Sequence, residues 1–356
     1  MGNKHPSSHS FVIYGAGNKG REICTYLRQS GRLVSGFIDT HAQPGQTSLG
    51  LPVCSPAAWL AQHTPDSVSV IVAIHNFAVD MEPLLRDIRA MGFAEVINVV
   101  EFYNRFPHAL PDHYWLTDAG YYAPFATAID SLRKLLADEK SRQLLDAVVE
   151  FRTTGNYGRL PAPTFDDQYR ASDLPPWQNP LRFIDCGAFN GDTLDHLQKG
   201  SYHFEAIAAF EPDMRNYQAL VKRIRAQMPN TPAACFPCGV SVTSAMQRFN
   251  AEQGTASALG TQGNTNIQCV AIDEALINFR PNLIKMDIEG AEPDALLGAR
   301  KTIESCRPGL AIGLYHHPAH LWQIPLMIAS WQLNYRFFIR QHAHSTFELD
   351  LYAIPN

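Results

Sequence analysis

The chain has 356 residues, 46% of them hydrophobic, and a formal net charge of −5 drawn from 29 basic and 34 acidic residues. That length can bury two cores, and acids and bases mixed along the chain leave no broad basic face, which speaks against a nucleic-acid partner. Seven cysteines at irregular spacing point to reduced thiols in a cytoplasm rather than to a disulfide framework. No signal peptide or apolar run long enough to span a membrane is visible, and Pro6 stands where a myristoylation signal needs Ser or Thr.

Residues 1–10 are polar and read as a loose tail. Phe11–Tyr14 reads as a short strand entering G-A-G-N-K-G at Gly15–Gly20, which opens a helix over Asn18–Gln29. Strands are predicted at Leu33–Asp39, Val68–Ile74 and Glu95–Val99 and an amphipathic helix at Asp80–Met91, an alternation that implies a parallel sheet. With Asp39 about twenty residues further on, the glycine loop has the context in which G-x-G-x-x-G binds a nucleotide, and Lys19 and Arg21 suit a phosphate. The surrounding text, I-Y-G-A-G, G-F-I-D-T and G-L-P-V, resembles the Rossmann-like N-terminal domains of nucleotide-sugar-modifying enzymes over roughly residues 11–100. The resemblance implies a site for NAD or a UDP-sugar made by Gly15, Gly17, Asn18, Lys19, Gly20 and Asp39, with Asp39 on the ribose hydroxyls. The alternative is a fold kept without a ligand, serving dimerisation or substrate presentation.

Between Tyr103 and Pro124 aromatic and proline residues break the pattern, so a boundary is placed near Tyr103. Residues 125–155 then look helical, with Leu132, Leu135, Leu136, Leu144, Leu145, Val148 and Val149 recurring at helical spacing, and a proline- and tyrosine-rich loop follows over 154–180. The expected division is a nucleotide-binding domain over 1–103, a helical linker or cap over 104–180, and a second α/β domain over 181–356.

Arg182–Thr193, R-F-I-D-C-G-A-F-N-G-D-T, is a buried strand running into a glycine loop that carries acids and no base. A pyrophosphate there would meet the like charges of Asp185 and Asp192, whereas the sulfonium and amino groups of S-adenosylmethionine would be attracted. Glu211 ends the next apolar run, A-I-A-A-F-E-P, where an acid in an open α/β sheet reaches the ribose hydroxyls of an adenosine. Cys235 and Cys238 have C-x-x-C spacing, but they lie in an apparent strand with no second such pair and no helix start to lower a thiol pKa. Cys238, Gly239 and Val240 are instead expected to flank the adenine at the carboxyl end of the third strand. L-I-K-M-D-I-E-G-A-E (Leu283–Glu292) and L-A-I-G-L-Y-H-H (Leu310–His317) are further strands whose ends should line the same crevice. His316 and His317 would point to opposite faces, and His316 is the preferred site member. Asp287 and Glu289 share a side of their strand end, fit to bind the cofactor, accept a proton, or hold a metal with His316; no metal is expected.

In this order D-x-G-A-x-x-G-D-T, E-P, K-M-D-I-E-G-A-E and Y-H-x-P resemble the FkbM-type S-adenosylmethionine-dependent methyltransferases over roughly residues 130–356. The expected α/β fold thus has two Rossmann-like domains, the C-terminal one a class I methyltransferase sheet with an antiparallel C-terminal hairpin. The implied activity is O-methylation of a hydroxyl on a sugar, glycan or related small molecule. The candidate cofactor residues are Asp185, Gly187, Asn190, Gly191, Asp192, Thr193, Glu211, Gly239, Val240, Asp287 and Glu289. His316 is the first choice of base and Asp287 the second. Two rivals stand beside this reading. One is an NAD(P)- or nucleotide-sugar-dependent enzyme working through the first domain, which shows no Y-x-x-x-K pair within the first hundred residues. The other is a non-catalytic ligand-binding protein, against which the retained Asp185, Glu211 and Asp287 argue. The expected partners are the acceptor and a second copy of the chain, in a cytoplasmic, soluble protein.

Overall fold

The computed structural model describes residues 10–249 and 265–356, so the stretch read as a tail lies, apart from Ser10, outside the described residues. The chain forms two compact units, Met1–Ala126 with Asp146–Ala162, and Thr127–Leu145 with Pro163–Asn356.

The first unit contains β1 (Ser10–Tyr14), α1 (Asn18–Gln29), β2 (Val34–Ile38), β3 (Thr47–Ser48), β4 (Leu51–Cys54), α2 (Pro56–Leu60), β5 (Val68–Val72), α3 (Met81–Ala90), β6 (Glu95–Asn98) and α4 (Val99–Arg105). The sheet order is β3-β4-β2-β1-β5-β6, parallel throughout except for β3 against β4. Strand order reverses at β1, which places a crevice at the carboxyl ends of β1 and its neighbours β2 and β5. The strands and helices predicted between residues 11 and 99 are present within two residues of the expected bounds, while β3, β4, α2 and α4 had no counterpart in the pattern. Val99, expected to close a strand, opens a helix, and Asn98 is the reason. Its side chain accepts from the backbone N–H of Val100 and Glu101, and the Glu101 carboxylate accepts from Asn98 N–H at 2.7 Å. Asn98 Nδ2 also donates to Gly155 O and Asn104 Nδ2 to Thr153 O, which ties the later stretch of the unit to α4.

The helical run expected over 125–155 is two helices, α5 (Ala126–Leu135) and α6 (Glu139–Thr154). The break at Leu136 and Ala137 arises because the backbone there pairs with Phe337 instead. Next come β7 (Leu181–Cys186), α7 (Asp192–Lys199), β8 (Phe204–Phe210), α8 (Met214–Gln227), β9 (Ala233–Phe236), β10 (Gly239–Val240), β11 (Ala245–Phe249), β12 (Thr265–Val270) and α9 (Ile272–Ala275). The chain ends with β13 (Leu283–Met286), α10 (Glu292–Gly298), α11 (Arg300–Cys306), β14 (Gly309–Gly313), α12 (His320–Ser330), β15 (Tyr335–Gln341) and β16 (Leu349–Pro355).

Seven strands form one sheet, β15-β16-β14-β13-β7-β8-β9, parallel from β14 to β9 and closed by the antiparallel β15–β16 hairpin that the resemblance implied. The inner strands β13 and β14 are buried at every position, as parallel strands covered on both faces must be. Phe183, Leu194, Ile207, Leu220 and Leu283 belong to the packed core between sheet and helices. Two charges interrupt these apolar strands, Asp185 on β7 and Lys285 on β13, and the register sets them directly opposite. The apparent strand around Cys235 is shorter than expected. Pro237 has no N–H for the ladder, β9 stops at Phe236, and Gly239–Val240 pair with β12 in a separate three-stranded sheet. Gly239 and Val240 therefore stand beyond the third strand rather than on it. Among the described residues no helix is long and apolar enough to cross a membrane.

Candidate active site

A cavity opens at the carboxyl ends of β7, β8 and β13, where the strands give way to loops. The loop after β7 is shaped by two left-handed glycines, Gly187 at φ +76° and Gly191 at φ +86°. A Cβ on Gly187 would stand 2.0 Å from Asp287 O, so this glycine lets the ends of β7 and β13 approach. Gly187, Asp192 and Thr193 line the cavity, whereas Asp185, Asn190 and Gly191 do not.

Asp185 is fully buried beneath the cavity. Its Oδ1 lies 3.2 Å from Lys285 Nζ, and that ammonium also donates to Gly187 O at 2.7 Å. Burial pushes the Asp185 carboxyl up and Lys285 pulls against it, while burial opposes the Lys285 charge and Asp185 overrides it, holding the lysine protonated. The expected cofactor anchor is thus a buried counterion that fixes the loop carbonyls, and Lys285 is the residue the sequence reading missed.

Glu211 lines the cavity from the end of β8. Its Oε2 accepts from Phe189 N–H and its Oε1 from Asp213 N–H, both at 2.8 Å, so the carboxylate is fixed in place by backbone. Burial outweighs these bonds and raises its pKa to about 7. Phe210, Val240 and Ile267 add apolar wall, with Gly239 beside them.

Asp287 and Glu289 line the opposite side, Glu289 on a left-handed backbone at φ +56°. Asp287 Oδ2 accepts from Tyr169 OH and Oδ1 from Tyr315 OH, each at 3.0 Å. Burial would raise the Asp287 carboxyl, but the adjacent His316 imidazole and the Lys285 charge hold it well below the usual carboxylate range. His316 is brought next to these acids but not into the cavity wall, and its side chain is 1% exposed. Its Nδ1 stands 2.8 Å from Glu292 Oε1, and its Nε2 3.2 Å from Asp287 Oδ1 and 3.7 Å from Glu289 Oε2. Burial disfavours the imidazolium, yet Glu292 and Glu289 overcome that penalty and lift its pKa well above the ordinary value. A histidine already charged and facing acids through both nitrogens is poorly placed to take a proton. His317 is exposed, though the strand has already ended at Gly313 and both histidines lie in the bend after it.

Four further residues line the cavity, and of these only Tyr315, in Y-H-x-P, stood in a motif. Gln168 and Tyr169 reach the cavity from the 154–180 loop, and Tyr315 and Glu348 from the ends of β14 and the β15–β16 turn. Glu348 Oε1 accepts from Tyr315 OH at 3.2 Å and its Oε2 from Gln168 Nε2 at 2.6 Å. Burial, with Asp287 adding to it, raises its pKa to about 7. The seven cysteines are free, and burial lifts the Cys238 thiol to about 11, the opposite of a reactive C-x-x-C.

The first unit has its own cavity, lined by Gly15, Gly17, Asn18, Lys19 and Asp39 together with His75 and His113. Gly20 lies below it, where a Cβ would meet Gly15 O at 2.0 Å, so its role is close packing of α1 on β1. Asp39 Oδ2 accepts from Ala16 N–H at 3.0 Å, and Lys19 Nζ is paired with Glu22 at 2.7 Å.

Residues 185–341 match the family model described as the methyltransferase FkbM domain. The solved structure of methyltransferase FkbM from Methylobacillus flagellatus KT is similar in fold, with a TM-score of 0.81 at 24% identity over 97% of this chain and 90% of that one. No curated protein matches the chain. The first match covers less than half of the chain and the second shows the fold, an α/β architecture shared with that protein along nearly its whole length. More narrowly, it is the stretch from Asp185 to Gln341, which holds the second cavity's motif residues, that is similar to the FkbM methyltransferase domain.

Proposed function

We propose that the chain is an S-adenosylmethionine-dependent O-methyltransferase acting on a hydroxyl of a sugar, glycan or related small molecule. Glu211 carries the reading, a carboxylate fixed by two backbone N–H groups at the end of β8 in the same cavity as the FkbM motif residues. That is where an acid receives the ribose hydroxyls of an adenosine. Asp192 and Glu289 suit a cationic ligand, since Lys285 is already engaged by Asp185. When bound, S-adenosylmethionine supplies a methyl group on a cationic sulfur for in-line displacement. The protein's part is to align the acceptor oxygen and exclude water. As the O–C bond forms and the C–S bond breaks, the hydroxyl proton must go to a base. Glu348 is suited to take it on its carboxylate, because its proton affinity lies near neutral pH, whereas His316 is already protonated and Asp287 is a weak base. A cytoplasmic setting accords with the free thiols.

Calorimetric titration with S-adenosylhomocysteine tests the reading. The wild type should bind one equivalent, and Glu211→Ala should weaken binding about 5- to 150-fold, the loss of a charge-assisted hydrogen bond worth about 1–3 kcal/mol. Equal affinity in the variant would remove Glu211 from the site, and a wild type that does not bind would end the proposal.

A second reading concerns the first unit, whose cavity brings five of the six expected nucleotide-site residues together. It is a binding site for NAD or a UDP-sugar, with Asp39 on the ribose.

A further inference from the structure

We propose that Tyr315 is a catalytic residue of the second cavity, its hydroxyl taking the acceptor's proton as it hands its own to Glu348. That use rests on methyl transfer as the reaction, whereas the hydrogen-bond exchange beneath it does not. Tyr315 follows β14 and lines the cavity together with Asp287 and Glu348. Its oxygen lies 3.0 Å from Asp287 Oδ1 and 3.2 Å from Glu348 Oε1. A phenol has one hydrogen to donate, so it serves one of these acids at a time. Asp287 has other donors: Tyr169 OH stands 3.0 Å from its Oδ2 and His316 Nε2 3.2 Å from its Oδ1, so it stays ionised when Tyr315 turns away. Glu348 Oε2 accepts from Gln168 Nε2 at 2.6 Å, and an amide nitrogen only donates, which leaves Oε1 as the place for a proton. Protonated there, Glu348 donates to the Tyr315 oxygen and Tyr315 donates to Asp287. Ionised, Glu348 accepts the Tyr315 hydrogen instead, and a lone pair of the phenol is released. The hydroxyl therefore has two positions, and the charge on Glu348 selects between them.

The second position is the one a hydroxyl acceptor needs, because its O–H can donate to that lone pair. As the oxygen–methyl bond forms and the C–S bond breaks, the acceptor's proton passes to the Tyr315 oxygen and the Tyr315 proton passes to Glu348 Oε1. A methyl ether, a neutral thioether and a protonated Glu348 result, and the tyrosine is unchanged. Burial, with Asp287, Glu348 and Glu289 adding to it, pushes the Tyr315 pKa well above its ordinary value, so the phenol gives up a proton only as it receives one. Burial and the Asp287 charge raise Glu348, against Gln168, His316 and Tyr315, to about 7, where it exchanges its proton with solvent. Of the other groups around the pair, Tyr169 and Asp350 are kept protonated by burial, and Lys285 is paired with Asp185.

The test is carbon-13 NMR of the full chain without cofactor, labelled at the glutamate carboxyl carbon and at tyrosine Cζ and titrated from about pH 5 to about pH 9. The expected result is a glutamate signal with a midpoint of about 7 that is missing from Glu348→Gln, which sets it apart from Glu211. One tyrosine Cζ signal of the wild type should shift with the same midpoint, as its hydrogen changes partner, and that shift should vanish in Glu348→Gln. In Tyr315→Phe the Glu348 midpoint should rise by about one pH unit, because the ionised form loses a hydrogen bond. Tyrosine signals that stay level through the Glu348 midpoint would overturn the proposal and leave the phenol serving Asp287 alone. A Glu348 midpoint unmoved in Tyr315→Phe would overturn it as well. The tyrosine reading needs no change at Tyr315, so it decides the matter even where Tyr315→Phe does not fold. S-adenosylhomocysteine binding is measured separately, so a failure of the cofactor reading is distinguishable from a failure of this one.

Discussion

At the scale of single residues, burial decides which acids in the cavity can change their charge. Glu211 and Glu348 both have pKa values raised to about 7, while Asp287 is held low by its neighbours. The consequence for Glu211 can be measured. Ribose hydroxyls donate to the ionised carboxylate, so a ligand that uses Glu211 competes with a proton on it. Above pH 7 the group is ionised and affinity should be level. Below, each pH unit should weaken S-adenosylhomocysteine binding by about tenfold, since each unit of separation from the pKa is a tenfold change in the ionised fraction. Glu211→Gln should bind more weakly above pH 7 and lose this slope. A slope that persists in the variant would assign the titration to another group. The motif residues that line this cavity were legible in the sequence because acids at the ends of apolar runs are anomalies that function explains. Lys285 was as anomalous in L-I-K-M as Asp185 in F-I-D-C, and pairing the two opposite charges was the available signal.

Elements were legible where their hydrophobic period was unbroken, as in β1, β2, β5, β7 and β8, whose bounds follow the apolar runs. Where local pattern competes with tertiary contact it misled. The helical stretch expected over 125–155 is interrupted because Leu136 and Ala137 pair with Phe337, a partner about two hundred residues away. The same region holds a cluster that no local pattern could reveal. Arg340 on β15 is 3% exposed at its side chain. It pairs with Asp138 at 2.6 Å and Asp173 at 2.9 Å and donates to Ser141 Oγ at 2.8 Å. Arg340→Ala should destabilise the protein by about 2–4 kcal/mol, because a buried charge partner is removed while its acids and hydroxyl stay in place. Burial pushes Asp173 up, but Arg340 and Lys140 win and hold it at about 2, and Asp138 is lowered in the same way. Carboxyls lowered in the fold add stability that is present above their unfolded pKa near 4 and lost as pH falls towards 2. The wild type should therefore lose stability across that window faster than Arg340→Ala in denaturant titrations. Parallel acid profiles would show that this cluster does not carry the pH dependence.

For the molecule as a whole, the two cavities are lined by residues of different units, the first by Tyr14–His113 and the second by Gln168–Glu348. No lining residue is shared. Substitutions at sites without common partners usually add, so the two sites should titrate independently. Lys19→Ala removes the cation of the first cavity and should leave the S-adenosylhomocysteine Kd of the full chain within about twofold of wild type. Glu211→Ala should likewise leave any NAD or UDP-sugar binding unchanged. Calorimetry on both variants, with each ligand titrated alone and in the presence of the other, reads this directly. A tenfold shift of one ligand by the other would be a coupling free energy of about 1.4 kcal/mol, and linkage requires that it appear in both directions. Such a reciprocal shift would sink the independence argued here and make the first unit a regulator of the second cavity.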